Sequence, residues 1–379
     1  MSNLTHTRLS LAALIVMWLC GIGGFALFIL SRLPITPEIT QFLSQPHFFL
    51  SRLFTRWDAS WYLIIAQHGY FFQEGTQSSV VFFPLYPFLI QTIGSLLHSF
   101  EAASYLISGI SLTITTFALY RLVSFEKDPK TAWKTITLLL TFPLAFFLIA
   151  PYTESLFLML AVGAWYLARR ERWWEASILV ALLAITRVSG ILIVIPLLIE
   201  YYLQHRQSLK NFFSKDLLAF LIMPVALIAH LWYLAQEFGN PFIFSHAQEA
   251  WHRNSTLSWS AISSSWQHYF SLFQNPPDAF FITNAYTDLT FLGIFAIGVI
   301  LCWIYLRKTY ALYATLLLIL PILSGRPDSI GRYMLGCFPI FIALGAATKN
   351  QGAFLGLMIL QTIFLAFFLA QYVQGYWVA

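Results

Sequence analysis

Charged residues are scarce in this chain. Only 10% of it is Asp, Glu, Lys or Arg, against roughly 25% in a soluble domain. With 59% hydrophobic residues, that scarcity excludes an ordinary water-soluble domain. Cysteine is equally sparse. Cys20, Cys302 and Cys337 fall in apolar segments at no useful spacing, so neither a disulfide framework nor a thiolate metal site is suggested. The formal charge of +5 is small for 379 residues, and the lack of a concentrated basic patch argues against nucleic acid as a partner. No Walker loop, GxGxxG, GxSxG or CxxC is present, so nucleotide-driven and serine-hydrolase chemistries lose their main support. No DxD pair stands around Asp58, so a nucleotide sugar held through a metal ion is not expected. Neither a fixed-period repeat nor a Ser/Gly linker divides the chain, and 1–379 reads as one domain.

What the chain has instead is apolar runs of about 15 to 22 residues from end to end, where a bilayer core of about 30 Å needs about 20 helical residues. The runs lack period-two alternation, so an all-α polytopic membrane protein is expected, not a barrel. The first run, 9–30, is too long for a signal peptide and lacks an A-x-A site, so it reads as a retained span. Further spans are expected near 103–122, 134–150, 152–168, 173–186, 190–204, 216–236, 288–306, 309–324, 333–348 and 352–373. Positive charges cluster after 103–122, 152–168, 190–204 and 288–306, which makes those ends cytoplasmic. The turns at 150–155, 186–190 and 324–333 then face outward, together with the loop of about 237–287. The segment 80–100 is read as re-entrant, with Pro84 and Pro87 breaking the following helix. It leaves a second long outer loop at about 31–81. Both outer loops are rich in aromatic residues, and amphipathic helices lying on the membrane are expected there.

The candidate chemistry lies on the outward turns. In "RWDASWYLIIAQHGYF", Asp58 stands between Arg56 and the aromatics Trp57, Trp61 and Tyr62; an acid in so apolar a wall is costly unless paired or catalytic. It could equally pair with Arg56 or cap the helix that follows. "PYTES" offers Tyr152 and Glu154, the latter able to assist an acid–base step or simply to begin a helix. "TRVSG" puts Arg187 where two short spans meet, and its guanidinium fork suits phosphate oxygens or a carboxylate such as Glu154. "SGRPDSIGRY" supplies Arg332 and Tyr333 at the start of a span, with Arg326 and Asp328 in what could be a solvated turn. His246, Glu249 and His252 make only a weak metal signal, since no HExxH is present. No cofactor is firmly implied, although the sequence leaves room for a divalent metal.

The ordered motifs "RWDASWYLIIAQHGY", "FFPLYP", "FPLAFFLIAPYTESLF", "TRVSG", "FGNPFIF" and "GRYMLGCFP" resemble the PIG-V family of GPI second mannosyltransferases, in particular its bacterial relatives, over about residues 52 to 345. The resemblance implies a GT-C-type membrane glycosyltransferase with about 11 to 12 membrane helices. Its implied donor is a polyprenyl-phosphate sugar, commonly mannose, its acceptor a lipid-linked or glycan hydroxyl, and its surroundings membrane lipids. It further implies a bacterial plasma membrane with the site facing outward, and Asp58 at the position of the catalytic acid in the first outer loop. On this reading Asp58 is the base, Glu154 the second carboxylate, and Arg187 and Arg332 hold the departing phosphate. Arg56, Trp57, Trp61, Tyr62, Tyr152 and Tyr333 then line the substrate pocket. A polytopic transporter or flippase, or a silent subunit of a mannosyltransferase complex, is the alternative.

Overall fold

The computed structural model describes residues 2–36, 51–205, 213–251, 258–276 and 281–378. Every regular element among the described residues is helical. Besides short 3-10 turns, the α-helices in chain order are α1 (Ser2–Arg32), α2 (Ser51–Phe54), α3 (Asp58–His68), α4 (Leu85–Leu97), α5 (Phe100–Glu126), α6 (Pro129–Leu140), α7 (Glu154–Ala168), α8 (Trp173–Ala184), α9 (Val194–His205) and α10 (Ile222–Phe238). There follow α11 (Ile243–His246), α12 (Trp259–Ser271), α13 (Phe281–Tyr305), α14 (Lys308–Leu323), α15 (Ile330–Gly336), α16 (Phe338–Ala347) and α17 (Gln351–Gln374). Their starts follow local chemistry. Ser99 accepts the Ala102 amide, Asp128 the Thr131 amide ahead of Pro129, and Asn350 the Gly352 amide, each supplying an acceptor to a helix end that lacks one.

Six helices among the described residues are long and apolar enough to cross a bilayer: Thr7–Arg32, Phe100–Glu126, Val188–His205, Lys215–Phe238, Ile282–Tyr305 and Gln351–Gln374. The expected run at 333–348 is broken into α15 and α16, bent by 75°, and counts as a seventh span only if the pair is taken together. The remaining runs make shorter apolar helices, α4, α7, α8 and α14 among them. α7 shows why. It is apolar on all sides and buried along most of its length, from Glu154 to Ala168, so it meets other helices where a lipid-facing span would meet acyl chains.

Two expectations are revised. Pro84 and Pro87 do not break a helix; they begin α4, where the first turn has no hydrogen bond for proline to remove. At 13 residues α4 covers about 20 Å, and it turns back through the left-handed His98 into α5. Gly94 is required at that turn, since a Cβ there would lie 2.6 Å from the Phe100 ring. Within the first outer loop, α2 and α3 do not lie on a surface. Leu53, Phe54, Ala59, Tyr62 and Ala66 of α2 and α3 are buried in the main helical core, beside Leu85 and Tyr86 of α4.

Three of the positively charged turns meet at one end of the bundle, through Lys127 on the Tyr305 carbonyl and through Arg169 and Arg307. Glu200, fully buried, accepts from Arg169 at 2.7 Å, Arg307 at 3.1 Å and Thr309 at 2.8 Å, and Arg169 also pairs with Glu126. These contacts tie α5, α7, α9 and α14 together. Glu154, at the other end of the 15-residue α7, is about 22 Å away.

Candidate active site

Asp58 is placed by a strained turn. Trp57 has φ 51° and ψ −116°, a left-handed backbone that costs a residue with a Cβ about 1–3 kcal/mol, and α3 begins at the next residue. Asp58 is thus the first residue of the helix and not its cap. Neither does it pair with its neighbour: Arg56 donates from Nη1 to the Tyr372 carbonyl. The Oδ2 of Asp58 instead accepts from Nη1 of Arg332 at 2.8 Å, and the Asp58 side chain keeps 21% of its surface exposed.

Arg332 has a comparable origin. Ser329, at φ 64°, is also left-handed and opens α15. Arg332 lies one turn in, with its Nε donating to Oε1 of Glu154 at 2.8 Å. The same Oε1 accepts from Nη1 of Arg187 at 3.0 Å. Arg187 reaches it from an extended residue after α8. The glycine of "TRVSG" makes this possible: a Cβ on Gly190 would stand 2.2 Å from the Leu183 carbonyl oxygen, so only glycine lets the turn fold back so closely. Glu154 is fully buried, and its Oε2 has no hydrogen-bond partner among the described residues.

Two carboxylates and two guanidiniums therefore form one charge-balanced chain, Asp58–Arg332–Glu154–Arg187. Aromatic faces back it. The Arg332 guanidinium lies 4.6 Å from the centre of the Tyr152 ring and 5.1 Å from that of Phe147. Arg187 lies 5.0 Å from the centre of Tyr333. Such stacking stabilises a desolvated cation while leaving its in-plane N–H groups for anions.

The other expected residues fall into three places. Tyr62 packs edge-on against Phe82 and Tyr86, one helical turn after Asp58. Trp61 stacks on the other side of the same aromatic group, sharing Phe82 with Tyr62 and adding Phe71 and Trp251. Trp57 turns to the end of α17, against Tyr372 and Trp377. Arg326 pairs with Asp328 at 2.8 Å. His246 and Glu249 belong to no group of three His, Cys, Asp or Glu side chains fit to hold a metal among the described residues, and His252 lies outside them. Sequence reasoning missed Phe147 and Tyr372, which look like ordinary apolar-run residues.

A groove of about 440 Å³ opens between α3, α4 and α10; Ile65, Gly69, Pro87, Ala226, Ala229 and His230 line it, and none of the four charged residues does. Asp58, Tyr62, Ile65 and Gly69 recur at four-, three- and four-residue steps and so share one stripe of α3. The groove therefore continues the face that carries Asp58, and its other wall, α10, belongs to a membrane span.

The profile of the family described as mannosyltransferase (PIG-V) matches residues 31–239. The chain belongs to the PIG-V mannosyltransferase family. The match includes Asp58, Glu154 and Arg187, while Arg332 lies beyond it. The rat GPI alpha-1,6-mannosyltransferase 2 is 29% identical over 148 residues, covering 36% of this chain and 29% of the rat protein. The human protein of that name is 28% identical over 199 residues, covering 50% of this chain and 38% of its own. The alignments thus span well under half of these relatives. Among solved structures, ArnT from Cupriavidus metallidurans bound to undecaprenyl phosphate aligns with a TM-score of 0.50 at 12% identity, over 92% of this chain and 62% of its own. At that identity the likeness speaks for the fold, which is that of the GT-C glycosyltransferases. Family and apolar helices together make this an integral membrane protein.

Proposed function

We propose that this protein is a membrane mannosyltransferase that moves the sugar of a polyprenyl-phosphate donor to an acceptor hydroxyl on the extracytoplasmic face, with inversion. The observation that carries the reading is the partly exposed Asp58 held 2.8 Å from Arg332, which shares the buried Glu154 with Arg187. In the proposed reaction Asp58 takes the proton of the acceptor hydroxyl as its oxygen bonds to the anomeric carbon. The bond from that carbon to the phosphate oxygen breaks on the opposite face, and the electron pair leaves with the lipid phosphate. Single displacement of this kind inverts the centre. Arg187 and Arg332 stabilise the departing charge with N–H groups already oriented before reaction, which is where such groups act most strongly. Glu154, buried between the two arginines, fixes their spacing. The groove along α3 and α10 supports a donor delivered from the bilayer, its hydrocarbon lying against Ile65, Pro87 and Ala229.

Incubating the purified protein with radiolabelled polyprenyl-phosphate mannose and a hydroxyl acceptor tests this. The expected result is transfer of label with inverted configuration at the anomeric carbon. Movement of the donor headgroup across liposomes with no sugar–phosphate cleavage would instead make the protein a transporter.

A further inference from the structure

The geometry points to the C-terminal end of α17, Tyr372 above all, as the device that positions Asp58; this rests on the base role proposed for that residue. Phe54, Arg56 and Trp57, three of the four residues leading into α3, are held at successive points. The Tyr372 hydroxyl donates to the Phe54 carbonyl at 2.7 Å. The Tyr372 carbonyl accepts from Arg56, which places a cation at the negative end of α17. From the other side the Tyr152 hydroxyl donates to the Arg56 carbonyl at 2.8 Å. The Trp57 ring then sits edge-on to Tyr372 at 4.9 Å and to Trp377 at 5.3 Å.

A left-handed tryptophan persists only where its surroundings over-determine it, and here Tyr372 touches Phe54, Arg56 and Trp57 at once. The clamp is itself fixed. Tyr372 is fully buried, and the positive-φ Gly375 ends α17 by returning its amide to the Tyr372 carbonyl at 3.1 Å, while the Tyr376 amide returns to Gln371 at 3.0 Å. Released from this clamp, Trp57 relaxes toward negative φ, the first turn of α3 rotates, and Asp58 leaves its 2.8 Å contact with Arg332. Tyr372 and Trp377 are positioning residues, contributed from outside the 31–239 stretch that carries the family match.

The test compares kcat and donor KM for wild type, Tyr372→Phe, Trp57→Gly and the double variant. Tyr372→Phe keeps the ring and loses the bond to Phe54. Its kcat is expected to fall about tenfold, since misplacing a catalytic group by an ångström costs up to about a hundredfold, while donor KM stays within about twofold. Glycine adopts the left-handed backbone without strain, so the double variant should be at least as fast as Tyr372→Phe alone. A Tyr372→Phe enzyme within about twofold of wild-type kcat, a proportionate rise in KM, or a double variant slower than the single one overturns the proposal. Where Tyr372→Phe does not fold, Trp377→Ala serves: the same loss of kcat at constant KM is expected, and an unchanged kcat refutes it. Asp58→Asn run alongside separates the readings. A fast Asp58→Asn enzyme removes the base and the clamp with it; a slow one beside a fast Tyr372→Phe removes the clamp alone.

Discussion

Replacing Glu154 by glutamine and by leucine separates what its charge contributes from what its shape contributes. Its Oε1 takes two guanidinium bonds, at 2.8 and 3.0 Å, and the partner arginines are 5% and 18% exposed, so solvent screens the pair little. Glutamine keeps an acceptor at the same place but makes each bond a neutral-acceptor one. Because both arginines stay ionised, each bond keeps one charged partner, so glutamine loses the carboxylate's charge while the hydrogen-bond acceptor stays. Leucine removes the acceptor and leaves two desolvated arginines with Asp58 as their one carboxylate neighbour in the chain. Breaking a buried ion pair from one side costs about 3–5 kcal/mol. Unfolding of the purified variants, followed by denaturant in one detergent, should therefore rank wild type above glutamine and glutamine above leucine. Leucine no more damaging than glutamine, or both within about 0.5 kcal/mol of wild type, would refute the reasoning that Glu154 is the anchor of both guanidiniums.

Arg187→Lys and Arg332→Lys keep the charge and lose the fork; donor affinity measured at equilibrium should fall about tenfold or more in each, and two unchanged values would remove both from the phosphate site. Ala229→Trp fills the groove beside His230, so KM should rise for a long-chain donor and stay put for a short-chain analogue; equal changes for both would disconnect the groove from the lipid. Asp128, whose carboxylate is held below its ordinary value by hydrogen bonds from the Thr131 side chain and amide, caps α6. Asp128→Ala should lower stability at neutral pH by about 0.5–1 kcal/mol. Because the folded value is the depressed one, that difference is full above the unfolded value and fades as pH falls below it; a difference that grows in acid would contradict the capping account.

Much of this arrangement is legible in the residues. Scarce charge and repeated apolar runs announce membrane helices, and of the ionic residues singled out in the turns between them the fold joins Asp58, Glu154, Arg187 and Arg332, while Arg326 pairs with Asp328 and Arg56 goes to the Tyr372 carbonyl. Burial makes that inference work, because a charge in an apolar wall must find another. Their pairing order is not legible: Arg332 meets Asp58 across 274 residues, and Arg56 looked as good a partner until its guanidinium was seen on Tyr372. The aromatics are harder still. Trp57, Trp61 and Tyr62 lie within six residues of one another, yet Trp57 turns to Tyr372 and Trp377 while Trp61 and Tyr62 meet on Phe82. Run length misleads for α7 and α8, since apolarity records burial and does not say whether lipid or protein supplies it. Tyr372 carries no local signal, its contacts lying 318 residues away at Phe54.

The rate of sugar transfer by Asp58→Asn at saturating donor, in protein shown to be folded, bears most directly on the whole. Asparagine keeps the size and an oxygen for Arg332 but cannot take a proton. The account predicts a fall on the order of a hundredfold or more with donor binding retained; turnover near that of the wild type would contradict it and leave the acceptor's proton to another group.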